Sequence, residues 1–272
     1  MTQNNSAPLW KWIIELALGV PAFLAIYIFA QSAMSIPSAA AKMAAILCSA
    51  AALIALFLLW TRLFEKEWRT DLFTKSPAGN ISLGMSIGLL YFVVVSTVLS
   101  ISGCYGASYA HPAWSLILVN FIFYFLIACG EEVIFRGIIF RMIDERFGFW
   151  WALGISALIF GFIHMITPNA SIWSSIAIVL EAGVLLGAAF KYSEGLWLPI
   201  GIHWAWNFTQ GNVFGFSVSG HDKEESILNS VISGPDILTG GDFGPEASVI
   251  SAVIGGLLSA YFVWKYLKKR SC

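Results

Sequence analysis

Eight stretches of this 272-residue chain are apolar for long enough to cross a lipid bilayer, and no other feature restricts its fold as strongly. A spanning helix needs about 20 mainly apolar residues, each rising about 1.5 Å. The stretches fall at roughly 12–36, 40–62, 81–101, 113–140, 149–166, 172–190, 197–216 and 247–264. Hydrocarbon offers the backbone no hydrogen-bond partner, so such segments close their own bonds as helices. The expected fold is an all-α polytopic membrane protein of about eight transmembrane helices, built as a single membrane domain over 1–272. The composition agrees, with 58% hydrophobic and only 11% charged residues, against about 25% charged in a soluble domain. Mean hydropathy is +0.77. A soluble enzyme, a disordered tail and a disulfide scaffold are excluded.

Charge then orients the spans, because basic residues gather on the cytoplasmic side. With a cytoplasmic N-terminus, that side receives 13 of the 15 basic residues, leaving only Lys42 and Lys223 opposite. Both termini are then cytoplasmic, as an even number of spans requires. Nine tryptophans, among them Trp60, Trp150, Trp151 and Trp264, fall near span ends, where the indole ring prefers to sit. Ala30-Gln31-Ser32 has the look of a signal-peptidase site, but the apolar run before it is long and only Lys11 precedes it, so an uncleaved first helix is expected. The 15 Lys and Arg are balanced by 16 Asp and Glu, so no basic excess is available to hold a nucleic acid. The connection 217–246 reads as an acidic outer loop or a re-entrant segment. Gly84/Gly88, Gly183/Gly187 and Ala157/Gly161 have the spacing of closely packed membrane helices.

An ionisable side chain at bilayer depth costs about 2.5–3.5 kcal/mol on insertion scales, so each one asks for a reason. The residues in question are Glu15, Glu131, Glu132, Arg136, His164, Glu181 and His203, with Asn207 as a polar companion. Glu132 and Arg136 are one helical turn apart and can pair. Glu131 is rotated about 100° from Glu132 and lacks that partner, which leaves it available as a general base. His164 lies as far beyond the turn at Phe147-Gly148 as Glu131 lies before it, so the two sit at matching height in antiparallel helices. Measured from Leu196, His203 is about 10 Å deep on the cytoplasmic side, with Asn207 a turn further on. The expected result is one pocket in the cytoplasmic half of the membrane, equipped to activate a water and stabilise an oxyanion. Each group alone is as well explained by helix–helix bonding; their coincidence on three helices favours a site. Glu181 has no basic partner at helical spacing and is either a supporting acid of the same cavity or a helix contact. Cys129 points elsewhere on its helix and is a poor nucleophile candidate.

Glu131-Glu132-Val133-Ile134-Phe135-Arg136 resembles the EExxxR motif of the CPBP intramembrane proteases, the CAAX-protease and bacteriocin-processing family that includes the type II CAAX prenyl endopeptidases. Phe160-Gly161-Phe162-Ile163-His164 is similar to its FxxxH motif and His203-Trp204-Ala205-Trp206-Asn207 to its HxxxN motif. The likeness covers roughly 113–267, with 1–112 contributing three additional spans. It implies an eight-helix membrane endopeptidase, in the plasma membrane if the source is bacterial, with its site toward the cytoplasm. Glu131 and His164 would activate the water, His203 and Asn207 would stabilise the oxyanion, and Glu132 and Arg136 would support them. The implied substrate is a membrane-tethered or lipidated peptide or protein. Members are described both as metalloproteases and as glutamate proteases. HExxH is absent and the oxyanion role uses every residue without a metal, so no cofactor is assigned; a zinc ion, if present, would be held by Glu131, His164 and His203. The competing functions are a proton-coupled transporter, against which the chain shows no paired repeats, and a non-catalytic bacteriocin-immunity or binding protein that keeps the pocket without turnover.

Overall fold

The computed structural model describes Ile14, Ala17, Pro21, Ala25, Ile28, Ser32 and residues 36–271. Apart from those positions the first expected span, 12–36, and with it Glu15, lies outside the described residues. The other spans appear as long helices: α1 (Ala39–Phe64), α2 (Pro77–Ile101), α3 (Trp114–Phe147), α4 (Phe149–Ile166), α5 (Ile172–Ser193), α6 (Trp197–Phe208) and α7 (Val249–Arg270). All but α6 are long and apolar enough to cross a membrane; α6 is prolonged by a wide turn over Thr209–Val213. The chain is an all-α polytopic membrane protein.

Local chemistry sets the helix ends. Ser38 and Ser248 cap α1 and α7 by accepting from the amides of Ala41 and Ser251, and Ser171 and Ser174 form a capping box on α5. Gly148 turns the chain between α3 and α4 with φ of 86°, a conformation that glycine adopts without strain.

Small residues set the spacing. Gly84 and Gly88 of α2 lie directly against α6, where a Cβ would stand 2.4 Å from the Leu198 carbonyl oxygen and 2.3 Å from that of Ile202. This backbone-to-backbone contact is the close approach that small-residue spacings permit, and it fixes the helix that carries His203 and Asn207. Gly88→Leu is expected to lower stability by roughly 1–3 kcal/mol or more through overpacking, read as a fall in Tm in detergent. Gly256→Leu, with open space beside it, should leave Tm unchanged.

The two ends of the bundle differ in chemistry. At one end Arg141 pairs with Glu65 and Glu145, Lys191 with Asp144, and Glu194 with both Lys75 (2.5 Å) and Lys269 (2.8 Å). The two lysines hold the Glu194 carboxyl down to about 2. The other end carries structure that hydropathy does not announce. Tyr105–Tyr109 (β1) pairs antiparallel with Leu228–Ile232 (β2), Tyr105 opposite Ile232 and Tyr109 opposite Leu228. The expected outer loop is thus a short ribbon with helical turns at Asp236–Thr239, Gly241–Phe243 and Pro245–Ala247.

Candidate active site

Glu131 and Glu132 sit in the middle of α3, where the helix widens into a π-turn over Val133–Phe140. Similar wide turns occupy Val179–Gly183 in α5 and Thr209–Val213 after α6. Such insertions recur at functional sites because they re-aim side chains without ending the helix.

Arg136 Nη1 donates to Glu132 Oε1 at 2.9 Å, as the spacing predicts. The same Oε1 accepts from His203 Nδ1, also at 2.9 Å. Arg136 Nη2 reaches the carbonyls of Ala182 and Gly183 in the wide turn of α5. Its guanidinium also lies 4.5 Å from the centroid of the Phe160 ring. Glu132 and Arg136 are fully buried. A buried ion pair with further hydrogen bonds to α5 and α6 joins three helices at one point, while Glu132 Oε2 and Arg136 Nε have no hydrogen-bond partner among the described residues.

Glu131 is left outside this arrangement. Its side chain is 20% exposed, and Oε2 lies 3.9 Å from His203 Nε2. His203 therefore stands between two carboxylates, one at each ring nitrogen. His164 closes α4, with Nδ1 2.7 Å from the Phe160 carbonyl oxygen. A carbonyl can only accept, so Nδ1 carries the proton in that bond and Nε2 of the neutral ring keeps its lone pair. Asn207 lies one turn beyond His203, and its amide makes no hydrogen bond to another described residue.

Glu131, His164, His203 and Asn207 line one cavity of about 170 Å³, together with Phe123, Tyr124, Ile127, Thr167 and the segment that supplies Val218, Ser219, His221 and Glu224. That volume is below the roughly 300–1,000 Å³ of typical small-molecule pockets; it suits a water and a short length of extended chain. The sequence singles out the first four residues, and the structure brings them together. It does not bring Glu181, which points away to a buried contact with Tyr91, whose hydroxyl lies 3.0 Å from Glu181 Oε2 and 2.7 Å from the Ser251 carbonyl oxygen.

Leu196, at the start of α6, is buried, with its side chain beside Gly137 of α3 and its amide donating to the Leu72 carbonyl at 2.8 Å. The lining residues of α3 all lie between Glu131 and the Trp114 end, and the remaining lining segments follow α4 and α6 on that same side. The cavity is lined on the ribbon side by Val218, Ser219, His221 and Glu224, and Glu132, Arg136, Phe135 and Phe160 beside it are buried.

Sequence reasoning also missed the groups that hold the mouth. The Ser219 amide donates to Glu246 Oε2 at 2.7 Å, Asn169 Nδ2 donates to the Gly220 carbonyl at 3.0 Å, and Asn212 Nδ2 donates to the Glu225 carbonyl at 2.6 Å. Burial pushes the Glu246 carboxyl up to about 7, against the opposing pull of the Ser219 amide. The folded chain therefore holds a proton there that the unfolded chain releases. The stability this neutral carboxyl contributes is fully present below about pH 4.5 and is lost as pH rises toward 7, by roughly 3 kcal/mol at most. Tm should fall between pH 5 and pH 8, and Glu246→Gln should remove much of that slope; an unchanged slope would show that Glu246 is not its source.

Among the described residues no group of three or more His, Cys, Asp or Glu is disposed to hold a metal ion. Glu131, His164 and His203, the set a zinc ion would need, are not gathered as ligands: they share a cavity without converging on a common centre.

A carboxylate, two imidazoles and an amide around one cavity are groups able to take a proton from a water and to bind an oxyanion. Residues 112–209 match the family model described as type II CAAX prenyl endopeptidase Rce1-like. That segment, which holds Glu131, Glu132, Arg136, His164, His203 and Asn207, is Rce1-like and supports the resemblance to the CAAX-protease (CPBP) family. No curated protein and no solved structure matches the chain. The protein is an integral, multi-pass membrane protein, and the matched segment supports a CAAX-type intramembrane endopeptidase in general.

Proposed function

We propose that the chain hydrolyses a peptide bond of a membrane-tethered substrate with a water activated by Glu131 and His164. The observation that carries this is the meeting of Glu131, His164, His203 and Asn207 at one cavity while Glu132 is paired with Arg136 and His203. The water donates one hydrogen bond to the Glu131 carboxylate and one to His164 Nε2. As its oxygen attacks the substrate carbonyl, its proton passes to Glu131. The charge that develops on the carbonyl oxygen accepts from the Asn207 amide and from Nε2 of protonated His203, fixed in place through Nδ1 by Glu132. Glu131 then returns the proton to the amide nitrogen, the C–N bond breaks, and acid and amine leave without a covalent intermediate. In a bacterium the setting is the plasma membrane, and processing at a CAAX-type C-terminal end is one form of this reaction.

The test is to give purified protein in lipid nanodiscs a set of membrane-tethered peptides, prenylated CaaX ends among them, and locate any cut by mass spectrometry. A defined cut supports the reading; a folded, monodisperse protein that leaves every peptide whole counts against it. Chelation with 1,10-phenanthroline is expected to leave the rate unchanged. One zinc per chain in active protein, with activity abolished by the chelator, would overturn the mechanism.

A further inference from the structure

Most of the cavity wall is helix, but one part is a tight turn, Val218–His221, closed by a 3.0 Å bond from the His221 amide to the Val218 carbonyl. Its two central residues, Ser219 and Gly220, have φ of 50° and 81°, the positive values that the mirror-image type of reversal requires at both positions. Glycine adopts this region freely, whereas serine stays there only where its surroundings hold it.

The holding group comes from a distant part of the chain. Glu246, buried in the helical turn before α7, accepts the Ser219 amide on Oε2 at 2.7 Å, with the Ser219 hydroxyl 3.4 Å from Oε1. Trp206 of α6 and Gln210, one turn further on, donate to the same carboxyl. Gly244 lets the two segments meet, since a Cβ there would stand 2.4 Å from the Ser217 carbonyl oxygen. Trp206 has other anchors: its ring stacks on Tyr91 at 4.1 Å and meets Phe92 edge-on at 5.4 Å, and α6 itself is packed on Gly84 and Gly88. What the Glu246 carboxyl adds is the link from this fixed helix to Ser219.

Of the four parts of the chain that line the cavity, three carry the reacting groups: α3 brings Glu131, α4 brings His164, and α6 brings His203 and Asn207. The segment that begins with the turn carries none of them and is left to hold substrate. We propose that the Val218–His221 turn is the surface against which the peptide segment is held for attack, and that Glu246 is its positioning residue, acting through the Ser219 amide. The substrate half of this rests on the peptidase reading; the hold on the turn does not. Glu246 touches neither the water nor the scissile bond, so its loss loosens the grip on substrate while the water-activating pair stays in place.

The test compares wild type, Glu246→Ala and Glu246→Gln on a tethered peptide that wild type cuts, in mixed micelles of fixed lipid content, with amide hydrogen exchange read over 217–221. Glu246→Ala is expected to raise KM about tenfold, as loss of a buried acceptor does, with kcat changed by less than about threefold. Exchange should quicken over 217–221 and not over 200–207 of α6. Glutamine offers the Ser219 amide a carbonyl oxygen in the same place, so Glu246→Gln should restore both KM and slow exchange. If Glu246→Ala does not fold, Glu246→Asp, whose carboxyl is one carbon short of Ser219, is read in its place with the same expectations. A lowered Tm with unchanged KM would give Glu246 a purely structural part and overturn the proposal, as would a fall in kcat at unchanged KM, or a Glu246→Gln protein as impaired as Glu246→Ala. If wild type cuts no peptide, the peptidase reading fails and takes the substrate half with it; exchange at 217–221 then decides the hold on the turn, and unchanged exchange overturns that as well.

Discussion

Glu131→Gln and His164→Gln are each expected to lower kcat by about 10²–10⁴, the range spanned by a positioned acid–base group, and the double variant is expected to be no slower than the worse single one. The two side chains act on the same water. Removing either leaves it without a proton acceptor or without the bond that orients it, so the second change has little left to remove, as for groups that work as a unit. Glu131 is only partly buried and pairs with nothing closer than His203 at 3.9 Å, so glutamine should fit without disturbing the fold. Steady-state kinetics on the four proteins, with matched Tm values, decides the matter. Losses that multiply would show that the two residues act in separate steps.

Arg136→Met is expected to cost about 3–5 kcal/mol, the penalty for leaving a buried charge without its partner. Glu132, fully buried, would keep only His203, and the links from Arg136 to Ala182 and Gly183 would go with the guanidinium. Most of the protein should then fail to fold, seen as lost monodisperse yield and a large fall in Tm. Adding Glu132→Gln removes the stranded charge, and the double variant should recover much of the stability. It should not recover activity, because His203 has lost the carboxylate that fixes its ring. Recovery of both would assign Glu132 a purely structural part.

These expectations mark what the sequence discloses and what it does not. The helices were legible because a run of about 20 apolar residues has few other fates; the structure places α1 to α7 on the expected spans, with α3 and α7 running 7 and 6 residues further at their C-terminal ends. The Glu132–Arg136 pair was legible because it is local, one turn apart. The bond from His203 to Glu132 joins residues 71 positions apart, and no spacing rule reports it. The wide turns at Val133–Phe140 and Val179–Gly183 leave no mark in composition, yet they aim Arg136 and the carbonyls it binds. The ribbon of Tyr105–Tyr109 with Leu228–Ile232 is not legible because each strand is only five residues long and its partner lies more than 100 residues away.

The most direct test is a single-turnover reaction in H₂¹⁸O, wild type beside Glu131→Gln, on whichever tethered peptide the wild type cuts. The mechanism predicts one ¹⁸O atom in the new C-terminal carboxyl of the wild-type product, no added mass on the quenched protein, and no product from the folded variant. Product formed at the wild-type rate by Glu131→Gln, or a substrate fragment covalently attached to the quenched wild-type chain, would contradict it.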